Sequence, residues 1–242
     1  VGSEMCIRDR GCTWEALKDP ANWTDPDFLE DIKAKAAASF ASLLRHDVRV
    51  IVANCGLFMW LHAKGIVSPA MDQAIDATGY SGFRPMVSLS SLNLLSYTLP
   101  LYDVLPNNQG LNSQELVRTS NGATVAIFTS NEDACVGIIQ STPALAGYNC
   151  FTHKQAKACP RLKQEGGILV VGLNGDNVIG VDGPVAGFEV VNDGTAAFYD
   201  VLEPSIHQVA LGVKKEYPGI RLAVVECTEV SAYTDSIRLG LR

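Results

Sequence analysis

Val48-Arg49-Val50-Ile51-Val52-Ala53-Asn54-Cys55, near the front of the chain, and Ile220-Arg221-Leu222-Ala223-Val224-Val225-Glu226-Cys227, near its end, decide the fold. Each is a short apolar run that closes on a polar residue and a cysteine. Uninterrupted runs of this kind mark a parallel strand covered on both faces, because neither side of it meets water. The two stretches align residue for residue, Arg49 with Arg221 and Cys55 with Cys227. The alignment predicts two related half-domains, each with a central parallel strand presenting one cysteine at its carboxyl end. Open α/β sheets bind ligands at that edge. The alternative is chance likeness between two buried strands.

Outward from these strands the pattern alternates. Phe28, Ile32, Ala36, Phe40, Leu43 and Leu44 recur at helical spacing, which predicts a helix over 25–45. Thr24 or Asp25 can cap it, with Pro26 in its first turn. A second helix is expected over 57–64 and another over 203–217, stopped by Pro218-Gly219. Further strands are expected over 86–89, 123–128 and 168–172, and a glycine-rich loop over 172–187. Together these predict an α/β protein with parallel sheets covered on both faces. Residues 1–10 lack any helix or strand period, are similar to translated sequencing-adaptor sequence, and are set aside as non-native. Residues 11–117 are expected to form the N-terminal half, and 118–242 a second half truncated at its C-terminus, with the turn-rich stretch 106–110 near the boundary.

Composition removes several classes of function. Asp and Glu outnumber Lys and Arg by 26 to 19, a net charge of −7. Nucleic acids and anionic membranes need a basic face, so neither is an expected partner. No apolar run approaches the roughly 18–20 residues of a membrane span. The seven cysteines, at 6, 12, 55, 135, 150, 159 and 227, contain no C-x-x-C pair, which argues against a zinc or redox motif. Free thiols fit a reducing compartment, so an intracellular location is expected, in the cytoplasm or an organelle such as the chloroplast. His46, His62, His153 and His207 are scattered away from carboxylate clusters, and no metal is expected. The glycines of 172–187 do not follow the strand–G-x-G-x-x-G–helix pattern, so no dinucleotide or other cofactor is expected.

The two aligned cysteines carry the chemistry. A thiolate is a good base once a helix N-terminus or nearby donors lower its pKa, and a helix is expected after each cysteine. The same N–H groups suit a substrate carboxylate. Two thiols facing a carbon next to a carboxylate can remove and return a proton, which is cofactor-independent racemisation. With a leaving group one bond further along, the same proton removal becomes β-elimination. Cys135, Cys150 and Cys159 lack this context and read as structural or surface thiols.

Asn54-Cys55-Gly56-Leu57-Phe58-Met59-Trp60, Pro184-Val185-Ala186-Gly187-Phe188-Glu189 and Glu226-Cys227-Thr228-Glu229-Val230-Ser231-Ala232-Tyr233, with the Ser-Ser and Thr-Ser strand ends between them, resemble the aspartate/glutamate/hydantoin racemase superfamily. The closer resemblance is to its algal branch, the Alma-type dimethylsulfoniopropionate lyases, and it spans roughly residues 11–238. It implies two pseudosymmetric, flavodoxin-like α/β/α half-domains, an active site between them, no cofactor and a homo-oligomer. The implied reaction cleaves dimethylsulfoniopropionate to dimethyl sulfide and acrylate. The implied catalytic residues are Cys55 and Cys227, with Cys227 expected to take the α-proton and Cys55 to support it. Asn54, Gly56, Ser90, Ser91, Thr129, Ser130, Thr228 and Glu229 are the candidate binding residues, the hydroxyls serving the substrate carboxylate. Phe58 and Trp60 are the candidate aromatic faces for its cation. A racemase or isomerase of an amino acid, hydantoin or small dicarboxylate is the second expectation, and a non-catalytic small-carboxylate-binding protein the third.

Overall fold

The computed structural model describes residues 22, 24–46, 48, 50–52, 61–62, 64–82, 84–88, 95, 123–142, 145, 147–165, 167–173, 178–182, 185, 199–226 and 228–242. They belong to two compact units. The expected boundary at 117/118 lies outside the described residues.

In the first unit, helix α1 runs over Pro26–Leu44. Of the two candidate caps, Asp25 accepts from the Asp27 N–H at 3.0 Å, and Pro26 opens the first turn, where its missing N–H costs no hydrogen bond. Of the predicted stripe, Ile32, Ala36, Phe40 and Leu44 are buried, while Phe28 and Leu43 are half-buried, and the helix packs against helix α2, Val67–Thr78. Strand β1, Val50–Val52, pairs in parallel with β2, Met86–Ser88, with Val50 opposite Met86. α2 lies between them in sequence, so β1, α2 and β2 make a β–α–β crossover. α2 is not among the helices expected from the sequence. Its third residue is Pro69, which reads as a breaker but sits in the first turn, where the N–H has no partner to lose. Of the helix expected over 57–64, only Leu61, His62 and Lys64 are described, the first two of them helical.

The second unit is built on β3, Ala123–Thr129, and β5, Gly167–Gly172. All residues of both strands are buried, as their apolar runs require. With β4, Cys150–Thr152, and β6, Leu222–Val225, they form a four-stranded sheet in the order β4-β5-β3-β6, every pair parallel. β6 was expected to be central. Among the described residues it stands at one end of this sheet, hydrogen-bonded to β3 alone, and its residues are half-buried or exposed.

Helices cover both faces. On one, Ala126, Phe128, Leu169 and Val171 meet Leu202, Ile206, Val209 and Val213 of α6 (Tyr199–Glu216), and Ile237 of α8 (Thr234–Gly240). The alternate residues Val125, Ile127, Ile168 and Val170 point to the other face, the side on which α3 (Glu132–Ser141) lies against β4 and β5. The short helices α4 (His153–Ala158) and α5 (Arg161–Glu165) link β4 to β5, and α7 (Thr228–Ser231) follows β6. Expected and observed helices agree at the end of α6, where the chain turns at Pro218 and Gly219.

α6 packs closely on the chain following β5. A Cβ at Gly212 would lie 2.5 Å from the Gly180 Cα, and Gly180 itself has φ +81°, a left-handed conformation suited to glycine. We expect Gly212→Ala to destabilise the protein by about 1–3 kcal/mol through overpacking, even though alanine is the better helix former. Urea unfolding measures this, and an unchanged midpoint would mean that the two backbones separate freely.

Candidate functional site at the carboxyl edge of the sheet

The path of the chain through the second sheet singles out the carboxyl end of β3. After β3 the chain passes into α3 on one face. After its two neighbours, β5 and β6, it passes into α6 and α8, on the other. The helices therefore lie on opposite faces on either side of β3, the kind of point in an open parallel sheet at whose strand ends ligands are commonly bound.

Three segments meet at this edge. The Glu226 N–H donates to the Phe128 carbonyl and the Leu173 N–H to the Thr129 carbonyl, both at 2.9 Å, so the ladder holds β6 and β5 to the last residues of β3. The register Phe128↔Val225, carried one residue on, sets Thr129 opposite Glu226 on the same face. Their side chains meet: the Thr129 hydroxyl donates to Glu226 Oε2 at 2.5 Å in a buried contact. Glu226 is only 6% exposed, so this donor supports a carboxylate that burial would otherwise penalise.

Glu132 opens α3 beside the same edge. Burial raises its pKa and the neighbouring Asp133 adds to the effect, while the Gly172 N–H and Lys154 pull the other way. A Cβ at Gly172 would lie 2.9 Å from the Glu132 Cβ, so the end of β5 leaves room for that side chain. Asn131 is the helix cap, its Oδ1 accepting from the Ala134 N–H at 3.0 Å.

Of the residues expected from sequence, Thr129 and Ser130 are here, both buried, and Thr228 and Glu229 begin α7 directly beyond β6. Asn54, Cys55, Gly56, Phe58, Trp60, Ser90, Ser91 and Cys227 lie outside the described residues. Thr129 was expected to donate to a substrate carboxylate. Its proton goes to Glu226, so any anion at this edge would draw on other donors. α7 is a single turn, too short to gather the dipole of a longer helix at the residue before it. Sequence reasoning missed Glu132 and did not pair Glu226 with Thr129. The available signal was position: each is a carboxylate within three residues of the carboxyl end of an apolar strand.

Cys135 is buried inside α3, and burial pushes the Cys150 thiol up to about 12, which keeps it protonated and unreactive. Cys159 is exposed. Among the described residues no three His, Cys, Asp or Glu gather as metal ligands, and no helix is long and apolar enough to cross a membrane. Comparison with protein-family models, curated proteins and solved structures finds no match.

The Thr129–Glu226 bond ties two strands together far apart in sequence. Thr129→Val leaves a buried carboxylate without that donor and should cost about 1–3 kcal/mol, whereas Thr129→Ser should retain most of the stability. Chemical denaturation of the two variants checks this, and equal losses would locate the effect in packing instead.

Proposed function

We propose that the protein is a cofactor-independent carbon–sulfur lyase that cleaves dimethylsulfoniopropionate to dimethyl sulfide and acrylate. The observation that carries the proposal is the repeated strand, polar residue and cysteine at residues 48–55 and 220–227, combined with the resemblance of the flanking motifs to the algal lyases. The parallel sheet supports it to the extent that β6 ends at the edge where such sheets bind ligands, and Cys227 follows two residues after β6 in sequence. A lyase of this kind requires two pseudosymmetric flavodoxin-like halves, each contributing one thiol to a shared site.

In this scheme the Cys227 thiolate takes the proton α to the substrate carboxylate. The electrons of that C–H bond form the new Cα=Cβ bond, and the Cβ–S bond breaks with its pair going to sulfur. Dimethyl sulfide leaves neutral, acrylate keeps the carboxylate, and Cys227 is left as the thiol. Cys55 positions the substrate, the hydroxyls of Ser90, Ser91, Ser130 and Thr228 address the carboxylate, and Phe58 or Trp60 offers an aromatic face to the sulfonium. An acidic site suits the cationic end as well, and Glu226 and Glu132 stand at the same sheet edge.

The test is headspace detection of dimethyl sulfide from the purified protein, with solvent deuterium uptake at the α carbon followed in parallel. We expect release of dimethyl sulfide, and a loss of roughly 10²–10⁴-fold in Cys227→Ala, the usual share of a general base. Deuterium uptake without dimethyl sulfide would favour a racemase or isomerase. Full activity in both Cys227→Ala and Cys55→Ala would end the cysteine mechanism.

A further inference from the structure

His153, the first residue of α4, is 3% exposed, and Tyr217, just beyond the end of α6, is 2% exposed. His153 Nδ1 and the Tyr217 hydroxyl are hydrogen-bonded at 3.0 Å, and the rings meet edge to face with centroids 6.0 Å apart. The Phe151 ring of β4 also packs near Tyr217, with centroids 6.4 Å apart. Lys163 of α5 closes over the pair: its Nζ sits 5.1 Å from the centre of the tyrosine ring and binds Glu216 Oε2 at 2.8 Å. The contact thus joins the segment carrying β4, α4 and α5 to the end of α6. None of these groups belongs to the carboxyl-edge site described above.

His153 Nε2 is buried and has no hydrogen-bond partner among the described residues. In the neutral ring either tautomer leaves one nitrogen unanswered, a modest cost. In the imidazolium both nitrogens are donors, and the Nε2–H becomes a buried charged donor with nothing to accept it. The groups that face the ring do not repair this. Glu216, from α6, stands 3.8 Å from Nδ1 rather than from Nε2, and its carboxylate is already engaged by Lys163. Lys157 on α4 and Lys163 on α5 oppose a further positive charge, and Tyr217 can offer Nδ1 only its oxygen.

We propose that the His153–Tyr217 contact is an acid-released latch: taking up a proton on His153 expels the ring and frees the β4–α4–α5 segment from the end of α6. The latch is independent of the lyase proposal. The electrostatics agree with the geometry, since burial lowers the His153 pKa, Lys157 and Lys163 add to this, and Glu216 opposes it without prevailing. The opened state binds the proton near the ordinary histidine value of 6.5 and the closed state only at lower pH. Opening is therefore promoted as pH falls through about 6.5, and the closed form is fully favoured above that value. Glu216, whose pKa is lowered, loses its charge only further into the acid range, so its contribution falls in a separate window.

The test is hydrogen–deuterium exchange of the full chain at pH 7.5 and 5.5, corrected for the intrinsic pH dependence of exchange. Opening linked to one proton increases by at most tenfold per pH unit between 6.5 and the lower closed-state value, so protection over 150–165 and 213–220 should fall measurably, by up to about tenfold, at pH 5.5. β3 and the first part of α6 should keep theirs. His153→Gln, which does not titrate, should abolish the step. Equal loss in His153→Gln, or no loss in the parent protein, overturns the latch. If His153→Gln does not fold, the histidine ring resonances of the parent protein decide. His153 should stay neutral below the ordinary histidine value of 6.5, and titration at or above that value overturns the proposal.

Discussion

Burial of β3 on both faces is the constraint on which the second unit depends. Every other strand of that sheet takes its register from β3 or from β5 beside it, and two helical layers close over alternate residues of the same seven-residue run. A strand with no solvent face must satisfy every backbone group through its neighbours. The ladder therefore extends to its last residues, where Phe128 and Thr129 still accept from Glu226 and Leu173. That completeness holds the ends of three segments at one level.

The same constraint explains the chemistry gathered there. A carboxylate as buried as Glu226 persists only with donors, and the opposing threonine supplies one because the parallel register sets it directly across. Glu132 meets its N–H partner in Gly172, a position where any larger residue would crowd it. An acidic, partly desolvated edge of this kind favours a ligand with a cationic end, which is the chemical property that a sulfonium and an ammonium substrate share. Both the lyase proposal and its racemase alternative begin with removal of the α-proton; they differ in whether a group then leaves the β carbon or the proton is returned to the α carbon.

Much of this was legible in sequence where one physical signal dominated. The apolar runs gave β3, β5 and β6, and helical spacing gave α1 and α6, because burial on two faces or on one stripe leaves a clear period. α2 was hidden by Pro69, a residue that disrupts a helix in its interior and is harmless in its first turn. β4, α4 and α5 were hidden by brevity: three, six and five residues cannot display a period. Thr129 and Ser130 were visible as strand-end hydroxyls. The partnership of Thr129 with Glu226, 97 residues away, was not, since register between parallel strands joined by long crossovers has no local signature. The expectation of a central β6 rests on the alignment of 220–227 with 48–55, although Arg221 and Glu226 leave it only four strand residues, none of them fully buried.

The central functional claim is that Cys55 and Cys227 act on one ligand. Mass-spectrometric mapping of thiol alkylation, with and without dimethylsulfoniopropionate, tests this most directly, with Cys159 as an exposed internal reference. The account predicts that the ligand slows modification of Cys55 and Cys227 together, with the same concentration dependence, while Cys159 reacts at an unchanged rate. Protection of one thiol without the other, or of neither at concentrations well above those that saturate turnover, would contradict it.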